Sequence, residues 1–234
     1  MRYDYASALI VGAGSGLSAS LARLLHREAG MRIGLAARSV AKLDALAKET
    51  KAAAFACDAA KPADVDALFD AMDKGPGGAP DVVVYNASGR VRGPFVDLDR
   101  AAVADAIAIG AYGGFLVAQA AAKRMLAKGK GAIFFTGASA SVKGYAQSAP
   151  FAMAKFALRG LAQSMAREFA PRGIHVAHFV IDGAIRNPGR AEAADNPDSM
   201  LDPDAIARAY LNILRQDRSA WTWEVELRPW AERF

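Results

Sequence analysis

The first residues placed to do chemistry are glycines. Gly12, Gly14 and Gly16 stand in Val11-Gly12-Ala13-Gly14-Ser15-Gly16-Leu17, directly after an apolar run and ahead of an amphipathic one. Glycine admits positive φ and lets the backbone come close to a ligand. The unpaired N–H groups where a helix opens attract an anion, aided by the helix dipole. In a strand–turn–helix setting, Gly12 to Leu17, with Ser15 at the tip, read as a cradle for a pyrophosphate; otherwise the segment is a tight turn that binds nothing. The second apolar run ends in Ala36-Ala37-Arg38-Ser39. A dinucleotide site keeps its selector for the adenosine 2′ position here. An acidic side chain would accept from the ribose hydroxyls of NAD(H). Arg38 offers a guanidinium suited to a 2′-phosphate instead, and no acidic residue follows before Asp44. NADP(H) is expected in preference to NAD(H), unless Arg38 is a plain solvated loop residue. Asp58, after the third apolar run, is placed either to meet the adenine amino group or to cap its own turn.

These residues need elements to hold them. Apolar, β-rich runs at 7–11, 32–36, 53–57, 82–85, 132–135 and 175–181 alternate with helical patterns at 17–29, 40–50, 62–72, 99–127, 151–169 and 203–216. Residues 223–227 are a candidate last strand. Strict alternation implies parallel pairing and right-handed crossovers. The expectation is an α/β chain forming one Rossmann-type domain over residues 1–234. Its doubly wound, mostly parallel sheet has six to seven strands, with helices on both faces. Ligands in such a sheet sit beyond the carboxyl ends of the strands, so the loops after Val11, Ala36, Cys57, Tyr85, Phe135 and Ile181 are the ones to watch.

Composition narrows the classes. With 53% hydrophobic and 23% charged residues in 234, the chain is neither disordered nor collagen-like. One cysteine, Cys57, and three histidines exclude a disulfide framework and leave little for a metal site, so no metal is expected. The net charge of +5 includes no basic run of five residues, and the dense stretch 123–130 reads as a helix end, where cations oppose the dipole. Nucleic acid is not an expected partner. The N-terminus has no export-signal pattern. The run 101–122 comes nearest to a membrane span but carries Asp105 and Gln119, so it reads as a buried helix. A cytoplasmic protein with a small-molecule substrate and no membrane partner is the default.

The motifs together resemble those of the short-chain dehydrogenase/reductase family, from Ala8 to about Arg228. The segment from Gly12 to Ser18 is similar to that family's Gly-x-x-x-Gly-x-Gly turn, with Ser18 in place of the last glycine. Tyr85-Asn86-Ala87-Ser88 is similar to its Asn-Asn-Ala-Gly, matching at Asn86 and Ala87, which would hold backbone beside the cofactor. Phe151-Ala152-Met153-Ala154-Lys155 is similar to its Tyr-x-x-x-Lys helix motif. Lys155 matches, and the resemblance gives it the nicotinamide ribose. Gly183 and Ile185, in Asp182-Gly183-Ala184-Ile185, stand where the family's Pro-Gly segment lies along the nicotinamide carboxamide.

The departures decide the chemistry. In the family a tyrosine hydroxyl exchanges the proton, a serine stabilises the reacting oxygen and an asparagine carries the proton relay. Those three places hold Phe151, Ala138 and Gly110 here. Three readings stay open. The proton donor has moved: Tyr145, Lys143, Ser139 and Ser141 lie in the loop after the fifth strand, and Lys155 acting through water is a further route. Alternatively the chain binds a dinucleotide without turnover, as a sensor or partner subunit. In the third reading Phe151 shapes a pocket, beside Ser139 and Tyr145, for a substrate that needs no tyrosine, such as an activated double bond. The resemblance also implies a homodimer or homotetramer through helices four and five, and a substrate lid over about 186–201.

Overall fold

The computed structural model describes residues 5–231; the N-terminal residues 1–4, part of the segment read above as lacking an export signal, lie outside them. Seven strands are present among the described residues: β1 (Ser7–Val11), β2 (Arg32–Ala37), β3 (Ala53–Ala56), β4 (Val82–Tyr85), β5 (Gly131–Thr136), β6 (Ile174–Ile181) and β7 (Glu224–Leu227). All pair in parallel, in the order β3-β2-β1-β4-β5-β6-β7. The order reverses between β1 and β4, which places the ligand crevice above their carboxyl ends. The helices are α1 (Leu17–Ala29), α2 (Asp44–Thr50), α3 (Pro62–Lys74), α4 (Arg100–Ile107), α5 (Gly113–Lys128), α6 (Ala149–Phe169) and α7 (Pro203–Leu214).

Side chains alternate across the sheet, as period-two strands require. Ala8, Ile10, Val84, Phe134 and Phe179 pack with α1, α2 and α7 on one face. Leu9, Val11, Val83, Tyr85, Ile133 and Phe135 pack with α3, α5 and α6 on the other. The central strands are buried on both faces, which is why they read as unbroken apolar runs.

Two helices differ from the sequence expectation. The pattern at 40–50 opens with a tight turn at Ala41–Leu43 before α2 begins. The pattern at 99–127 is interrupted by a π turn at Ala108–Tyr112, where Gly113 N–H reaches back to the Ala108 carbonyl. The Tyr85 hydroxyl donates to the Ile109 carbonyl within that turn. Glycine is required here for packing. A Cβ on Gly113 would stand 2.5 Å from the Tyr85 oxygen, and one on Gly110 would stand 2.6 Å from the Ala154 Cβ of α6. The stretch Arg100–Lys128 is long and apolar enough to cross a bilayer by length and composition. Here one side of it covers the sheet through Val117, Ala121 and Met125.

A buried polar chain fastens the carboxyl end of the sheet. His178 on β6 lies with Nδ1 3.1 Å from Glu224 Oε2 on β7, and with Nε2 3.3 Å from Ser141 Oγ. The carboxylate makes Nδ1 the protonated nitrogen, so Nε2 accepts from the serine hydroxyl. Ser141 Oγ accepts from the Ala138 N–H at 3.1 Å, and Glu224 takes two bonds of 2.7 Å from Arg159 of α6. The order serine–histidine–carboxylate resembles a nucleophile relay. Yet Ser141 and His178 are fully buried, so no substrate reaches them. Ser141 is thereby removed from the candidates for a relocated proton donor.

Burial pushes the His178 pKa down to about 4; Lys155 and Arg159 push the same way, and Glu224 opposes them. The folded imidazole therefore takes up its proton later than the unfolded one, whose pKa is about 6.5. Its contribution to stability is complete above pH 6.5 and is lost as the pH falls through about 4. The stability gap between the wild type and His178→Gln, measured by urea unfolding, is expected to shrink by on the order of 2–3 kcal/mol between pH 7 and pH 4. A gap independent of pH contradicts this assignment.

Candidate active site

The site begins where the β1 and β4 loops touch. Gly12 has φ +85°, and its own Cβ would overlap the Ala87 backbone nitrogen. Gly12 and Ala13 N–H both donate to the Ala36 carbonyl, at 2.9 and 3.0 Å. Asn86 N–H donates to the Val11 carbonyl at 2.8 Å, and its side-chain amide donates to Ser18 Oγ at 2.7 Å. Ser18 Oγ in turn donates to the Gly12 carbonyl at 3.2 Å. The serine that replaces the expected glycine is thus the link between the two loops. Gly16 caps α1 with no side-chain acceptor, and no acid stands in the first turn. The N–H groups of Ala19 and Ser20 donate to the Gly16 carbonyl, and those of Leu17 and Ser18, at the very start of the helix, are left for an anion. Gly14 and Ser15 form the open tip.

Beside this turn lies a cleft of about 760 Å³. It brings together Gly16, Leu17, Asn86, Ser139, Tyr145, Phe151, Lys155, Gly183 and Ile185. Gly12, Gly14, Ser15, Ala87, Arg38 and Asp58 lie outside its lining. Arg38 is exposed at the end of β2. Asp58 Oδ1 accepts from the Ala60 N–H at 3.2 Å, as a turn cap does. Cys57 is buried, and burial raises its pKa to about 11, so it carries no thiolate at neutral pH.

Lys155 is buried about two turns into α6 from Ser148, and its Nζ donates to the Thr136 carbonyl at 2.6 Å. Burial and the neighbouring Arg90 charge lower its pKa to about 8. The Phe151 ring, one turn earlier, has the Arg90 guanidinium 4.5 Å from its centre and the Lys155 ammonium 5.8 Å away. The Phe151 ring thus has two cations close to it. Ser139 opens the short turn Ser139–Ser141, and Tyr145 is exposed at the rim. Lys143 is bound elsewhere, in an ion pair of 3.2 Å with Asp182. Gly110, at the relay-asparagine place, is pressed against Ala154 too closely for any larger side chain.

The sequence reading missed Arg90, Arg92 and Arg190, which also line the cleft. The signal available was Gly89-Arg90-Val91-Arg92, two arginines in the loop after β4, on the ligand side of the sheet. Within 186–201, bridges join Ile185 to Leu201 and Asn187 to Arg190, and the Glu192 carboxylate accepts from the Asp198 and Met200 N–H groups.

The family pattern described as short chain dehydrogenase matches residues 6–196. A D-threitol dehydrogenase from Mycolicibacterium smegmatis is 32% identical over 180 residues, covering 75% of this chain and 68% of the relative. The crystal structure of a short-chain dehydrogenase from Rhodopseudomonas palustris superposes with a TM-score of 0.81 at 35% identity, over 96% of this chain and 99% of that one. A gluconate 5-dehydrogenase from Burkholderia cenocepacia, solved with NADP and tartrate, gives 0.85 at 26% identity, over 97% and 95%. Pattern, sheet order and the β1–β4 crevice agree, and the chain belongs to the short-chain dehydrogenase family.

Proposed function

We propose that the chain is an NADP(H)-dependent oxidoreductase acting on a small carbonyl, alcohol or activated alkene, with a proton donor other than the family tyrosine. Members of this family bind a nicotinamide dinucleotide, and the uncapped start of α1 beside a cleft ending at Lys155 fits one. The observation that carries the reading is this continuity between an anion cradle and a buried lysine. Gly12, Gly14, Ser15, Gly16 and Leu17 would hold the pyrophosphate and Arg38 the 2′-phosphate. Asn86, Ala87, Gly183 and Ile185 would flank the nicotinamide, and Lys155 its ribose. When bound, the cofactor supplies or accepts the hydride.

The chain's own task is then the proton. Phe151 has no group to exchange. Tyr145 is the hydroxyl on the cleft rim that we assign to that task, with the Ser139 hydroxyl polarising the substrate oxygen. Lys155, with a pKa near 8, is able to pass a proton through water at working pH. Residues 186–201 would act as the lid. A second reading, a dinucleotide-binding protein without turnover, is favoured by one observation: Phe151, Ala138 and Gly110 remove three groups of the family mechanism at once.

Tyr112 at the end of the π turn, Phe115 at the start of α5, and Met153 and Phe156 on α6 are between 41% and 54% exposed although large and apolar. Such a patch favours a partner, and we assign it to a homodimer or homotetramer contact.

Three measurements test these readings. In fluorescence titration, NADPH should bind more tightly than NADH, and Arg38→Ala should weaken NADPH by roughly 10- to 100-fold, the value of a charge-assisted bond, with NADH unchanged. Equal loss for both nucleotides removes Arg38 as selector. In a carbonyl panel with NADPH, Tyr145→Phe should lower kcat by about 10²- to 10⁴-fold. Activity that appears only in Phe151→Tyr supports the silent reading instead. Light scattering should give a multiple of 24.6 kDa, reduced to one chain in Phe115→Lys/Phe156→Lys. A monomeric wild type at micromolar concentration rejects the interface.

A further inference from the structure

The charges in the cleft do not balance. Five cations line it, Arg90, Arg92, Arg186, Arg190 and Lys155, against one acid, Asp182. Asp182 is already met by Lys143 at 3.2 Å and Arg228 at 3.6 Å. Arg186 is paired with Asp202 at 2.6 Å, and Lys155 is tied to the Thr136 carbonyl. Arg90, Arg92 and Arg190 have no acidic partner among the described residues.

We infer that these three arginines form an anion subsite in the substrate half of the cleft, so that the molecule turned over carries a carboxylate or phosphate near its reacting carbon. The inference deepens the proposed function and rests on it for the position of the reacting carbon. Arg90 is the centre of the argument. Its guanidinium lies 4.5 Å over the Phe151 ring, on the helix turn that leads to Lys155. Contact with a ring takes up none of the guanidinium's N–H donors, which stay available to grip an oxyanion in a fork. Phenylalanine at 151 thus has a use without a hydroxyl: it props an arginine beside the cleft end of α6. Arg90, Arg92 and Arg190 are all exposed to the cleft mouth; the partial covering of Arg90, then the like charges of Arg92 and Arg190, lower its pKa. An incoming anion relieves that repulsion.

The cofactor's own phosphates have the same chemistry, and Asn187, on the Arg190 segment, stands near Gly16. The experiment separates the two sources. Malonate, inorganic phosphate and uncharged malonamide are titrated calorimetrically into the full chain, with and without saturating NADP+. Malonate or phosphate should bind at least tenfold more tightly than malonamide in both states and leave NADP+ affinity within twofold. Arg90→Gln should weaken the anion at least tenfold with NADP+ affinity again within twofold; Arg92→Gln, at an exposed position, repeats the test if Arg90→Gln fails to fold. With turnover, Arg90→Gln should raise KM for 2-oxo acids and not for their methyl esters. Malonate and phosphate both binding no better than malonamide overturns the inference. Anion and NADP+ affinity falling together in the variants also overturns it, giving the arginines to the cofactor. Absence of NADP+ binding, with anion binding intact, sinks the proposed function alone.

Discussion

Gly12 can bear no side chain, because the backbone of Ala87 fills the place where a Cβ would stand. That contact brings the β1 and β4 loops together at the point where the strand order reverses. Ser18 and Asn86 lock it with two side-chain bonds, each worth about 1 kcal/mol net. The start of α1 is thereby aimed into the crevice with its N–H groups uncovered. Everything that follows along the cleft, from Leu17 to Lys155, is measured from this contact.

Beyond it, the site is organised by cations that lack full compensation. Lys155 is buried against a carbonyl, and Arg90 lies over a ring. A phenol at residue 151 would have offered the lysine a group to activate. A phenyl ring offers only its electron-rich face, which suits a cation. Phe151 and Arg90 therefore give this part of the pocket an apolar ring with a cation against it.

Much of the fold was legible because the central strands are buried on both sides. Their sequences, such as Val82-Val83-Val84-Tyr85, carry no polar interruption. β7 was a weaker signal, since Glu224 and Glu226 alternate with Val225 and Leu227 at the sheet edge. The π turn was not legible: it depends on the hydroxyl of Tyr85, 24 residues earlier in the chain. For the site, the glycine turn and Lys155 stood out through their spacing. Arg90 and Arg92 did not, because a loop arginine normally belongs to solvent. Their isolation emerges only after Lys143 and Arg186 are seen to consume the nearby acids, pairings made across 39 and 16 positions.

The π turn at Ala108–Tyr112 also gives the long helix a spare residue. A π turn takes up locally one extra position, which in unbroken α-helix would turn all that follows by about 100°. The apolar faces of α4 and α5 are therefore phased independently, α4 against α6 and α5 against the sheet. Shortening the chain by one residue inside the bulge would close it to regular α-helix, with both flanking stretches still facing their neighbours. The same deletion one turn to either side would put the whole of α5 out of phase.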